Sequence, residues 1–127
     1  MVRGFLLLAA FFGFTGVGLG AFAAHALKSR LSPEYLAVFQ TAVHYQMLHA
    51  LALLMLALLV RQLPGRLLLV AGYLFTLGVV LFSGSLYALT LSGISALGMI
   101  TPLGGLAFLA GWLCLGLGAW RLGSPRA

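Results

Sequence analysis

The chain is short of charge, and of acidic charge above all. Its 127 residues hold one carboxylate side chain, Glu34, against seven lysines and arginines, so charged residues make up only 6%. A soluble domain carries about 25%, and a chain that is 63% hydrophobic has too little polar surface to cover itself in water. Lipid must be its solvent. Cysteine is nearly absent too: Cys114 stands alone, which excludes an internal disulfide and a cysteine-based metal site. The net charge of +6 would suggest nucleic acid in a soluble protein. Here the basic residues sit at the ends of apolar runs, with no basic stripe interleaved with aromatics, so no nucleic-acid partner is expected.

Long apolar runs are what the chain has in abundance, with a mean hydropathy of +1.17. Three stretches lack Asp, Glu, Lys and Arg: Gly4 to Leu27, Tyr35 to Val60, and Leu67 to Trp120. The first two each suit one crossing, because a spanning helix needs about 20 apolar residues. The third would be about 81 Å long as one helix, far beyond a hydrocarbon core of about 30 Å. It must therefore fold back. Ser92-Gly93 reads as a helix end, and Thr101-Pro102 as an N-cap followed by proline at the first helical position. The reading is an all-α membrane protein, a four-transmembrane-helix bundle forming one domain over 1–127, with spans of about 4–25, 38–61, 66–91 and 102–121.

Local signals refine the ends. Ser32-Pro33-Glu34 reads as an N-cap, proline at N1 and an acidic first turn, so the second helix starts before its lipid-embedded part. Gln62-Leu63-Pro64-Gly65 forms the turn into the third span. Met1-Val2-Arg3, an apolar run and Ala21-Phe22-Ala23 resemble a cleavable signal, but the run is long for an h-region and glycine-rich, so the segment is read as retained. Arg3, Arg61, Arg66, Arg121 and Arg126 fall on one side, and Lys28 and Arg30 on the other. The positive-inside rule then puts both termini in the cytoplasm, an N-in/C-in topology.

Helices in lipid associate through small residues. The first span carries Ala9, Gly13, Gly16, Gly20 and Ala23; the last carries Gly104, Ala107, Gly111, Cys114 and Gly118. Each set repeats at 3.5 residues on average, the seam of a left-handed bundle. These stripes are expected to pack the bundle, or else to form a homo-oligomer or membrane-protein interface.

Polar residues concentrate in the second helix, as Gln40, His44, Tyr45, Gln46 and His49. Such residues inside a membrane face a bundle interior or a water cavity. Counting from the charged ends puts His49 near mid-membrane, level with Gly16 and Gly78, which would leave room for an imidazole. His44 falls in the outer third with Ser83, Ser85 and Tyr87, and His25 at the outer boundary. One reading is a set of interhelical hydrogen bonds fixing register. The other is a ligand, ion or proton site on the His/Tyr/Ser cluster. His44 and His49 are five apart, about 140° around the helix, and cannot easily share a metal. No Ser-His-acid set, zinc motif or phosphate-binding glycine loop occurs, so no cofactor is assigned and enzymatic activity is not favoured.

Four strings carry a resemblance when taken together: Gly20-Ala21-Phe22-Ala23-Ala24-His25-Ala26-Leu27, Tyr45-Gln46-Met47-Leu48-His49-Ala50-Leu51, Phe82-Ser83-Gly84-Ser85-Leu86-Tyr87 and Ile100-Thr101-Pro102-Leu103-Gly104-Gly105. With Gly111-Trp112, they are similar to the YgdD-type family of bacterial inner-membrane proteins, related to transmembrane protein 256 of animals. Ala23 stands where that pattern has Gly. The resemblance implies four helices and a multi-pass cell-membrane location, and brings no activity. The expected function is that of a non-enzymatic accessory or assembly subunit. The alternative is a small-molecule, ion or proton-conducting protein.

Overall fold

In a computed structural model the chain is described over residues 2–63 and 65–122; Pro64 of the expected turn and the expected cytoplasmic Arg126 lie outside them. Four helices are long and apolar enough to cross a membrane: α1 (Val2–His25), α2 (Pro33–Gln62), α3 (Arg66–Ser92) and α4 (Thr101–Leu122). Among the described residues there are no strands. Helices are the expected answer, because hydrocarbon offers backbone groups no partners and an α-helix satisfies them within itself.

The helix ends follow from single residues. Ser32 caps α2 by accepting the Tyr35 backbone N–H at 3.1 Å, and Pro33 follows at the first helical position. At the end of α3, Gly93 adopts φ +77°, a left-handed conformation that costs glycine nothing, and its N–H donates to the Leu89 carbonyl at 2.8 Å. A short 3₁₀ turn, Ser95–Met99, then leads into α4. Thr101 is not the cap its sequence suggests. It is already helical, and its hydroxyl pairs with that of Ser85 across the α3–α4 contact.

α1 packs along α2, α4 along α3, and α2 and α3 along each other. The main core gathers Phe5, Phe12, Leu53, Leu56, Phe75 and Phe108, with a smaller cluster of Ala23, Leu27 and Phe39 toward the α1–α2 connection. Glycines on α1, α3 and α4 let these side chains in. Gly16 faces the Met47 thioether, Gly72 takes the Phe5 ring, Gly78 the Phe108 ring and Gly111 the Phe75 ring. Gly104 marks the closest helix approach, since a Cβ there would collide with the Phe82 backbone. Gly20 lies against Val43 at 3.3 Å and Gly118 against Leu67 and Leu68 at 3.5 Å, whereas a Cβ on Gly13 would meet nothing.

α3 is not uniform. Val79–Ser83 forms a π turn, a widened turn in which one extra residue re-phases all that follows. It falls where Gly104 presses on the Phe82 backbone and Ser83 reaches α2. The C-terminal half of α3 is thereby set so that Ser83, Ser85 and Tyr87 meet partners on α2 and α4.

Candidate functional site

The polar side chains form a set of ties between helices, built mainly from α2. Gln46 is buried where α1, α2 and α3 meet. Its amide nitrogen donates to the Phe12 carbonyl at 2.8 Å and to the Thr15 hydroxyl at 2.7 Å, and its oxygen accepts from the Tyr87 phenol at 2.6 Å. Thr15 passes its own proton to the Phe11 carbonyl at 2.8 Å. Ser83 donates to the Ala42 carbonyl at 2.7 Å, joining α3 to α2.

His49 joins α2 to α4. It is 2% exposed, and both ring nitrogens are engaged. The Trp112 indole can only donate, and its Nε1–H lies 3.0 Å from His49 Nε2. Nε2 is therefore the acceptor, and Nδ1 carries the proton that it donates to the Tyr45 carbonyl at 2.8 Å. One ring face lies on Phe108, with centroids 3.7 Å apart and planes 8° from parallel, and Phe75 meets the ring edge-on at 5.2 Å. Among the described residues no buried side-chain nitrogen or oxygen is left without a partner.

Of the residues singled out in the sequence, Gln46, His49, Ser83, Ser85 and Tyr87 enter these ties. Gln40 and His44 are exposed on α2, and His25 is exposed at the end of α1. Tyr45 is divided: its carbonyl serves His49, while its ring, 38% exposed, leans on Phe82 at 4.7 Å. His44 and His49 thus face different surroundings, and among the described residues no cluster of three potential metal ligands forms. Gly16 and Gly78 do not make the space for the imidazole. They admit Met47 and Phe108, and Phe108 then becomes the surface on which the ring lies.

Trp112, Thr15 and Phe108 are participants the sequence reading passed over, and Thr101 is one it took for a helix cap. Trp112 carried a signal. It lies nine residues before Arg121, about 14 Å into the membrane, where an indole N–H must find an acceptor. Between α2 and α4 a groove of about 610 Å³ opens sideways, lined by Leu48, Phe82, Leu106, Phe108, Leu109 and Trp112, with Tyr45 at its rim.

Four apolar helices tied by internally paired polar groups define a multi-pass α-helical protein of the cell membrane. Within that class the chain belongs to the DUF423 family, described as proteins of unknown function, whose family model matches residues 19–105. It is 47% identical to the UPF0382 membrane protein YwdK of Bacillus subtilis over 112 residues, covering 87% of this chain and 91% of that one. A UPF0382 membrane protein of Staphylococcus haemolyticus is 48% identical over 111 residues, 87% of this chain and 90% of the relative. The UPF0382 inner membrane protein YgdD of Escherichia coli K12 is 42% identical over 120 residues, 94% and 92% of the two chains. No solved structure matches the chain.

Proposed function

We propose that this protein is a non-enzymatic accessory or assembly subunit that docks against other membrane proteins through its lipid-facing surface. The observation that supports this most is the division of its glycines. Gly16, Gly72, Gly78, Gly104 and Gly111 make room for a neighbouring helix, but at Gly4, Gly13, Gly18, Gly84 and Gly116 an added Cβ would meet nothing. Glycine is the poorest helix former after proline, at about 1 kcal/mol per residue against alanine. Small residues that serve no internal contact are the kind a partner helix uses for close approach in lipid. The polar ties point the same way: His49 has both nitrogens committed within the bundle, which suits holding helices together rather than passing ions. On this reading the four helices act as one domain over 1–127, N-in/C-in, and Gln46, His49, Ser83, Ser85 and Tyr87 are structural.

The test begins with protein solubilised from its own membrane in a mild detergent. A membrane-protein partner in fixed stoichiometry should accompany it. Gly18→Leu with Gly116→Leu, which the isolated bundle has room for, should release that partner without unfolding the chain. pH-dependent flux into liposomes containing this protein alone, abolished by His49→Ala, would instead support the conducting alternative.

A further inference from the structure

The groove between α2 and α4 has a polarity order of its own. Its lining is hydrocarbon and aromatic rings, and two of its polar groups, the buried His49 ring and the Trp112 indole N–H, are bonded to each other. The Tyr45 hydroxyl at the rim is different: it has no hydrogen-bond partner among the described residues. A phenol in contact with lipid needs an acceptor, because hydrocarbon supplies none.

The dimensions fit one lipid chain. Tyr45 lies 17 residues before Gln62 at the far end of α2, about 26 Å along the axis, and so near one edge of a hydrocarbon layer about 30 Å thick. Helix side chains lean toward the N-terminus, which carries the phenol closer to that edge. On α4 the groove runs from Pro102 to Trp112, about 15 Å, or half the layer. A molecule lying in it would have its polar part at the membrane edge and its tail ending near the midplane. Charge narrows the headgroup. Exposed Lys28 and Arg30 occupy the same membrane face, against the single acid Glu34. His44 packs edge-on to the Tyr45 ring at 5.9 Å.

We propose that this groove holds one acyl chain of an anionic phospholipid from the adjoining leaflet, with a lipid ester carbonyl accepting the Tyr45 hydroxyl. The site does not depend on the docking role. It makes the bound lipid a fourth wall between α2 and α4, where the helices are bridged by the His49–Trp112 bond.

Trp112, which lines the groove, reports occupancy. The full chain with Trp120→Phe, so that Trp112 is the only indole, is delipidated in detergent and titrated with phosphatidylglycerol carrying dibrominated chains. Trp112 emission should fall saturably, complete at one lipid per protein. Tyr45→Phe should weaken binding about fivefold, the value of one hydrogen bond of about 1 kcal/mol. Gly105→Leu projects into the groove, where a Cβ meets only Phe82 at 4.0 Å, and should abolish saturation. Gly116→Leu, on the same helix but outside the groove, should leave it unchanged. If Gly105→Leu fails to fold by circular dichroism, Leu106→Trp in a Trp112→Phe background, read by native mass spectrometry as loss of the one-lipid adduct, takes its place. Quenching that stays linear in lipid, or saturates alike in the groove-filling and control variants, overturns the proposal and leaves only annular lipid.

Discussion

Breaking the link between α2 and α4 should cost a defined amount of stability. Trp112→Phe keeps an aromatic ring against Phe75, whose centroid lies 4.9 Å away, and deletes the N–H that donates to His49 Nε2. Interhelical hydrogen bonds in bilayers average about 0.6 kcal/mol and reach about 1.7. His49 is 2% exposed, so its nitrogen has no lipid or water to turn to, and the loss should fall near the upper end, about 1–1.5 kcal/mol. His49→Leu loses the same bond and also the Phe108 stacking, a further ~1 kcal/mol, for about 2 kcal/mol in all. The double variant should cost about 1 kcal/mol less than the two single costs added, because one bond is counted twice. Equilibrium unfolding by a denaturing detergent, or by steric trapping in bicelles, measures all four corners of this cycle. Additivity to within about 0.3 kcal/mol would refute the bond as a stabilising contact.

Other consequences are as direct. Gly104→Ala should displace α4, because the added methyl meets the Phe82 backbone. Gly116→Ala, whose methyl meets nothing, should keep thermal stability or raise it by up to about 1 kcal/mol, and equal effects at the two sites would contradict the packing described. Gln46→Leu removes three hydrogen bonds that hold α1 and α3 to α2, at about 1–2 kcal/mol; faster amide hydrogen exchange confined to α1 and the C-terminal half of α3 is the expected signature, and unchanged protection there would count against it. For topology, a cysteine at Ser29 in a Cys114→Ala background should react with an impermeant maleimide added outside cells, and one at Gln62 should not. The reverse pattern would invert the N-in/C-in assignment.

The helix count is legible from length alone, because a 54-residue run without charge cannot cross a layer about 30 Å thick only once. The start of α2 is legible from Ser32 and Pro33, and the end of α3 from Gly93. Thr101 shows the limit: threonine before proline reads as a cap, but the hydroxyl is drawn to Ser85, a partner sixteen residues away. The π turn at Val79–Ser83 leaves no periodic trace in a run that is apolar on every side. It decides which faces Ser83, Ser85 and Tyr87 present, so the pairing of those residues could not be read in advance. The concentration of polar residues in α2 is legible in the sequence, yet His49 and His44 diverge because a 140° separation puts one in the core and the other on the surface.

A fixed tie and a mobile proton carrier make different demands on the His49 ring. Nitrogen-15 NMR of histidine-labelled protein in lipid bilayers, with His25 and His44 replaced, separates the two. A single species protonated at Nδ1 and accepting a hydrogen bond at Nε2, with the bond lost in Trp112→Phe, is the predicted result. A proton on Nε2, or exchange between the two tautomers as a relay would require, would contradict it.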